Sequence, residues 1–265
     1  SADVKKELVK RERPATQAVV VPEVGYIARM TLSPQDGATA LVHTGREETS
    51  HLTVRDRDGS VRFSRNLTLL LPGREWILSG PSVMSGLSFT RDGSLLYLVA
   101  VDVDSQSSYL SRLWRVDART GEVLRTWEIG DGMGGSVTPD GTGYVYIDVQ
   151  GDTANLVRLN LESGQTEPLT RFEGHISLGA PAVSPDGQRV VFSMRGPAGW
   201  DLALLGQDGS VRWLTRDGLF NYSARWMDDD LRHAWHRRAE RRQQDTHAEV
   251  GNPHAQRAAD HRQHD

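Results

Sequence analysis

Several carboxylates of this chain stand in pairs that could bind a cation. Asp56 and Asp58 are two residues apart, as are Asp102 and Asp104, and carboxylate oxygens are the ligands that calcium prefers. Neither pair is followed by the further oxygen ligands of a calcium loop. Acids in hairpins also accept hydrogen bonds from turn amides, and we favour that role. We therefore predict no metal site and no cofactor.

Histidines near the end of the chain are the second group with metal-binding chemistry. Six of the nine lie within residues 231–265, where His233 and His236 have a spacing that could hold zinc weakly on a helix. The same segment has seven arginines and few apolar residues, so it cannot bury enough surface to offset the entropy of ordering. We predict a polar His/Arg-rich tail that is disordered or a frayed helix.

The motifs of nucleophilic and phosphate chemistry are missing from the sequence. It has no Gly-x-Ser-x-Gly elbow, no His-Glu-x-x-His zinc helix and no Gly-x-x-x-x-Gly-Lys loop. Without cysteine it can form no disulfide or thiolate site. A net charge of −4 argues against nucleic acid as a partner, and no stretch reaches the ~20 apolar residues of a membrane span. We predict no enzyme activity and no membrane insertion.

A repeated turn phrase organises the rest of the chain. It occurs as Asp36-Gly37, Asp92-Gly93, Asp140-Gly141 and Asp186-Gly187, each followed by an apolar triplet. A second glycine turn comes 22 to 28 residues after each first glycine. Because Asp and Gly are turn residues, each repeat is predicted to form four strands, a to d. Repeats of 46 to 56 residues with four short strands are typical of propeller blades.

We therefore predict an all-β fold, a β-propeller of four-stranded antiparallel blades, with about four complete blades and a partial one. The propeller spans residues 17–230, with blades at 28–79, 81–130, 131–174, 175–219 and 220–230. Residues 1–16 are predicted to be a polar lead-in helix and linker, and residues 17–21 a strand that closes the ring. For residues 66–77 we favour a displaced strand d over an elaboration between blades.

The fifth blade starts and then loses its pattern. No apolar strand b follows Asp228-Asp229-Asp230. We therefore expect an incomplete or truncated ring, with a change of reading frame or an engineered terminus near Asp228. The open edges of such a ring would promote self-association.

The turn phrase and the end of each blade resemble the TolB-like, Tricorn-type propeller repeat. Ser184-Pro185-Asp186-Gly187 with Leu214-Thr215 matches its Ser-Pro-Asp-Gly turn and closing Leu-Thr. Thr138-Pro139-Asp140-Gly141 with Leu169-Thr170 is nearly as similar. The resemblance covers about residues 28–227. It implies a bacterial protein of the periplasm or cell envelope that serves an envelope assembly, or a domain beside a hydrolase.

Strand order predicts where a partner would bind. Successive connections in a meander alternate between the two ends of the sheet, so the b–c and d–a loops share one end, opposite the Asp-Gly turns. This loop-rich end gathers the following candidate contact residues: Arg46, Glu47, Asp102, Asp104, His175, Trp200, Phe220 and Tyr222. Trp200 and Tyr222 could equally wedge between blades.

Three functions are compatible with this arrangement. We favour a non-catalytic scaffold that binds a protein or peptide through the loop-rich end. The second is the substrate-gating propeller of a peptidase or hydrolase whose catalytic domain lies outside the chain. The third, an enzyme with its active site in the channel, would need ionisable groups on the a strands. Ser88-Phe89, Ser136-Val137 and Ala182-Val183 offer almost none.

Overall fold

A computed structural model describes residues 26–44, 50–67, 75–76, 86–103, 109–217, 220–226 and 233–238. Within these residues the chain forms nineteen strands, joined into antiparallel sheets that follow one another along the chain. Four of the sheets are propeller blades, as predicted, and a two-stranded sheet follows them. None of the described residues belongs to a helix long and apolar enough to cross a bilayer. The predicted helix within residues 1–16 and strand at 17–21 lie outside the described residues.

The strands pair in chain order, so each blade is a meander. Blade 1 consists of β1 (Tyr26–Leu32), β2 (Thr39–Thr44), β3 (Ser50–Arg55) and β4 (Val61–Asn66). After β5 (Glu75–Trp76), blade 2 consists of β6 (Leu87–Phe89), β7 (Leu95–Val103), β8 (Tyr109–Asp117) and β9 (Val123–Glu128). Blade 3 consists of β10 (Met133–Val137), β11 (Gly143–Gln150), β12 (Thr153–Asn160) and β13 (Thr166–Pro168). Blade 4 consists of β14 (Leu178–Val183), β15 (Val190–Gly196), β16 (Gly199–Leu205) and β17 (Val211–Trp213), and the last sheet of β18 (Phe220–Trp226) and β19 (His233–Arg238).

The described part of the insertion before blade 2, Glu75–Trp76, joins the sheet of blade 2, and the prediction of a displaced strand d is wrong. β4 already occupies the outer position of blade 1, and Glu75 and Trp76 pair instead with Val103 and Asp102 of β7. β6 pairs only with the first part of the long strand β7, so the far end of β7 is available to β5. The strands of blade 1 therefore end at Asn66.

The last sheet contains a strand that the sequence did not predict. His233–Arg238, within the segment expected to be disordered or helical, pairs as β19 with β18. Antiparallel pairing is made by backbone donors and acceptors, so the edge of β18 can recruit a segment that has no apolar pattern. The prediction of disorder or a frayed helix is therefore wrong for His233–Arg238. Residues 239–265 lie outside the described residues.

The hydrophobic core lies between blades. Each interface between consecutive sheets has one cluster of buried apolar side chains. In β7, Leu96 and Leu98 belong to the cluster with blade 1, whereas Tyr97 and Val99 belong to the cluster with blade 3. β11 and β15 divide their side chains in the same way. Strand b is thus buried on both faces, which explains its uninterrupted apolar triplets.

The innermost strands of three sheets share a β-bulge. In β10, β14 and β18 one extra residue enters the ladder with the second strand. Gly134, Ala180 and Ser223 occupy the same bulge position, with φ of 59°, 47° and 60°. A left-handed backbone costs about 1–2 kcal/mol at residues such as Ala180 and Ser223. Packing against the neighbouring sheets therefore holds the bend in place, and the bulge aims the following side chains toward the axis.

Hydrogen bonds also join the innermost strands of neighbouring sheets. They run from the Val137 amide to Ser88 Oγ (3.3 Å), from the Val183 amide to Ser136 Oγ (3.0 Å) and from Trp226 Nε1 to the Ala182 carbonyl oxygen (2.9 Å). The contacts between inner strands follow the order β1, β6, β10, β14 and β18. In the described part of the chain β18 makes no comparable contact with β1, so the ring is open there.

The Asp-Gly turns are closed by a repeated set of hydrogen bonds. In blade 3 the Thr138 hydroxyl donates to Asp140, and the Thr142 amide donates to the same carboxylate at 3.1 Å. The Gly143 amide donates back to the Thr138 oxygen at 2.9 Å. Blades 2 and 4 repeat all three bonds. With Gly141 at a φ of 70°, this pattern explains why Ser or Thr precedes Asp by two residues and glycine follows it.

Acid should weaken the first of these turns. The Ser33 hydroxyl and the Arg62 guanidinium lower the pKa of Asp36 to about 2. Since the pKa in the folded chain lies below the usual value of about 4, Asp36 stabilises the fold above that value, and this stabilisation is lost as the pH falls toward 2. We expect Asp36→Asn to lose less thermal stability than the wild type over this range, as measured by circular dichroism. Asp152→Asn, at an exposed site, should lose thermal stability with falling pH as the wild type does. An equal loss of thermal stability in Asp36→Asn and the wild type between about pH 4 and about pH 2 would contradict this account of the turn.

Removing one side chain from an interface between blades should destabilise the whole chain. Phe192 is fully buried between blades 3 and 4. Phe192→Ala should lower the free energy of unfolding by about 3–5 kcal/mol, because it removes buried surface and leaves a cavity. Leu124→Ala, whose leucine is 43% exposed on β9, should change it by less than about 1 kcal/mol. Urea titrations of both variants test this, and equal shifts would contradict a core that lies between blades.

Candidate binding surface and central cavity

An aromatic cluster lies at the loop-rich end of blade 4 and the last sheet. Trp200 stands near the start of β16, and Phe220 and Tyr222 stand near the start of β18. The Tyr222 ring centre is 5.1 Å from that of Trp200, edge to face, and 5.7 Å from that of Phe220, stacked. All three side chains are half-buried. The cluster therefore joins two sheets and also leaves aromatic surface for a partner, so the wedge and the contact surface predicted from the sequence coexist.

A glycine makes room for the centre of this cluster. A Cβ on Gly179 of β14 would lie 2.2 Å from the Tyr222 hydroxyl oxygen, so the ring packs directly on the backbone of blade 4. Among the described residues this buried hydroxyl has no hydrogen-bond partner, and burial raises the pKa of Tyr222 to about 12. An unbonded buried polar group carries a free-energy cost.

Four predicted contact residues belong to strands and not to loops. These are Asp102 of β7, Trp200 of β16, and Phe220 and Tyr222 of β18. The connections are shorter than the sequence suggested, since residues 197–198 alone join β15 to β16. Each lies in the part of its strand next to the loop-rich end.

His175, another predicted contact residue, lies apart from the aromatic cluster. His175 lies between β13 and β14, and its Nδ1 atom is 3.2 Å from the Asp152 carboxylate of blade 3. Both side chains are exposed, and such surface pairs contribute little stability. Arg46, Glu47 and Asp104 lie outside the described residues.

A cavity of about 360 Å³ opens at the propeller axis. All five inner strands contribute to its wall, through residues that include Leu32, Ser88, Ser136, Ala182 and Arg225. Of the described residues that line it, the charged ones are Arg91 and Arg225. The expectation that the a strands offer almost no ionisable groups is therefore wrong for β18, and also for β1, which carries Arg29.

Arg225 occupies surroundings that disfavour its charge. Its Nη1 atom donates to the neighbouring Ala224 carbonyl oxygen at 2.9 Å, and its side chain reaches the solvent of the cavity. Desolvation by the surrounding protein lowers its pKa, and the charge of Arg29 lowers it further. Because a guanidinium stays protonated in proteins, Arg29 and Arg225 repel each other across the open part of the ring.

Alignment of the repeats could have identified Arg225 as a residue of the inner strand. The pairings Ser136–Val145, Ala182–Val191 and Arg225–Ala234 occupy the same place in their ladders. Extending the alignment of the blades by one strand therefore puts an arginine where blades 3 and 4 have serine and alanine.

A second cavity, of about 700 Å³, lies at the turn end between blades 3 and 4. Its charges are of both signs. Arg158 lies 3.9 Å from Asp140, and Asp186 pairs with Arg189 at 2.9 Å. In the part of the chain described here, no three His, Asp or Glu side chains come together as a metal site requires. Among the described residues, the cavity at the axis therefore differs from this second cavity in being lined by positive charges alone.

Solved structures share this architecture at low sequence identity. TolB from Acinetobacter baumannii has a TM-score of 0.53 and 18% identity over 74% of this chain and 45% of that one. A putative TolB from Agrobacterium tumefaciens has a TM-score of 0.52 and 18% identity over 80% and 73% of the two chains. The chain has the fold of TolB propellers. The propeller domain of the Trilobed protease from Pyrococcus furiosus is also similar, with a TM-score of 0.52 and 16% identity over 81% and 66%.

These likenesses to TolB and the protease propeller show the fold alone. No protein-family model and no curated protein sequence matches the chain. The chain spans less than half of the Acinetobacter TolB.

A methyl group on Gly179 should displace Tyr222 and loosen the aromatic cluster. Gly179→Ala should lower the free energy of unfolding by about 1–3 kcal/mol, as overpacking does, and should weaken the near-ultraviolet circular dichroism of the aromatic rings. Gly196→Ala in the same blade is the matched control, because its Cβ would have its nearest contact at 3.7 Å, with Trp213. The same small effect in both variants would show that Tyr222 does not depend on Gly179.

Proposed function

We propose that this chain is a non-catalytic propeller module that binds a protein or peptide at its loop-rich end. The observation that supports this most is the half-buried cluster of Trp200, Phe220 and Tyr222. Aromatic side chains of this kind dominate the binding energy of protein interfaces. Because both sheets hold the rings, little ordering entropy is lost when a partner covers them.

The family resemblance supports the proposed setting of this module. The likeness to TolB structures favours a bacterial protein of the periplasm or cell envelope. The net charge of −4 favours a protein partner over nucleic acid. A sequence without the common motifs of nucleophilic or metal-assisted hydrolysis favours a binding role over catalysis.

One observation favours a second candidate, the substrate-gating propeller of a peptidase. The Trilobed protease propeller has a similar fold, and the cavity at the axis of this chain would give an extended peptide a path through the ring. A hydrolase domain encoded in the same reading frame would support this candidate. A signal peptide directly upstream of the propeller, without such a domain, would support the binding module.

Selection of peptides on the immobilised full chain tests the proposed binding surface. Peptides enriched from a random library should bind Trp200→Ala about tenfold more weakly or worse, the loss expected when an interface loses an aromatic anchor. Leu124→Ala, which also removes an exposed apolar side chain, should bind them as the wild type does. Undiminished binding to a folded Trp200→Ala variant would exclude the aromatic cluster as the binding surface.

A further inference from the structure

The cavity at the axis is unusual in the sign of its charge. The chain as a whole has a net charge of −4, yet the charged side chains among the described residues that line this cavity are both arginines. Arg225 enters it from β18, and Arg91 enters it from the Asp-Gly turn of blade 2, where two other blades have proline. The cavity therefore attracts anions within a chain that repels them overall.

The fold does not need a cation at position 225. Blades 3 and 4 have Ser136 and Ala182 at the same place in the ladder, and both form the bulge and the contacts between blades. Arg225 also faces the charge of Arg29, which makes it a costly choice for stability alone. Residues that lower stability without a structural role are typical of functional sites.

We propose that the cavity at the axis binds a carboxylate group of the peptide partner, held by the Arg225 guanidinium with Arg91 as the second cation. The inference rests on the proposed binding function and adds the chemical class of the ligand to it. Because the cavity lies on the axis next to the Asp-Gly turns, a peptide bound at the loop-rich end would extend along the axis to reach it. A guanidinium presents paired donors that match the two oxygens of a carboxylate. The volume of about 360 Å³ lies within the range of small-ligand sites, about 300–1,000 Å³, and accommodates an acidic side chain or a chain terminus.

Isothermal titration of the full chain with two capped peptides tests this. Tetraglutamate should bind the wild type, and tetraglutamine of the same length should bind at least about tenfold more weakly. Arg225→Gln should weaken tetraglutamate binding about ten- to hundredfold, as the loss of a charge-assisted hydrogen bond does, and Arg225→Lys should recover part of it. Arg119→Gln, in an exposed turn of blade 2, removes the same charge elsewhere and should leave binding unchanged.

The unfolding of the ligand-free variants separates a binding role from a structural one. Arg225→Gln should keep or raise the urea midpoint of the wild type, because it removes one of two repelling charges. A lower midpoint would assign Arg225 to the fold and overturn the inference. Equal weakening by Arg119→Gln and Arg225→Gln would also overturn it, since binding would then depend on net charge alone.

The outcomes keep this inference distinct from the proposed function. If library peptides bind through Trp200 but tetraglutamate binds the wild type and Arg225→Gln equally, the carboxylate site is wrong and the binding module stands. If tetraglutamate depends on Arg225 while no library peptide depends on Trp200, the carboxylate site stands and the aromatic surface is wrong. Binding of free succinate without binding of tetraglutamate would overturn the assignment of the site to a peptide.

Discussion

Burial of each middle blade between two neighbouring sheets is the constraint on which this structure depends. A four-stranded blade has two apolar faces, and β7 shows how both are used, with Leu98 packed toward blade 1 and Tyr97 toward blade 3. Neither face can be buried within its own blade. Stability therefore accumulates interface by interface along the chain, as it does in other repeat proteins.

The same constraint makes the axis of the ring the place where chemistry can vary. The second and third strands of each blade are committed to packing between blades, and turn positions to the bonds that close the Asp-Gly phrase. At the inner strands the bulge is retained while the side chain after it changes from Ser136 to Ala182 to Arg225. Hydrogen bonds between inner strands, such as that from Val183 to Ser136, keep the backbone fixed while this happens. The fold thereby provides a rigid frame in which one residue sets the character of the cavity.

Much of the fold could be predicted because the determining signals are local. The Thr138–Asp140 turn uses side chains two residues apart, and each apolar triplet that follows an Asp-Gly phrase lies in the second strand of its blade. β5 and β19 could not be predicted, because they join through backbone groups to the exposed ends and edges of other strands. No periodic pattern of side chains is needed for such pairing.

The candidate site was only partly predictable for a different reason. Strand order places Trp200 and Tyr222 at the loop-rich end, and in the structure the centres of their rings are 5.1 Å apart. Their packing depends on Gly179, more than 20 residues from either side chain, and the sequence alone does not pair a tyrosine with a distant glycine. Arg225 was missed since the alignment of the repeats stopped at the last complete blade.

Amide hydrogen exchange at Val137 and Val183, measured by NMR, tests the central claim most directly. Each of these amides donates to a serine hydroxyl of the preceding blade, so its protection reports contact between blades and not within one. The packing described here predicts that both exchange only when the chain unfolds globally, with opening free energies close to that of complete unfolding. Exchange as fast as that of the Glu162 amide in an exposed turn would contradict a ring in which the blades stabilise one another.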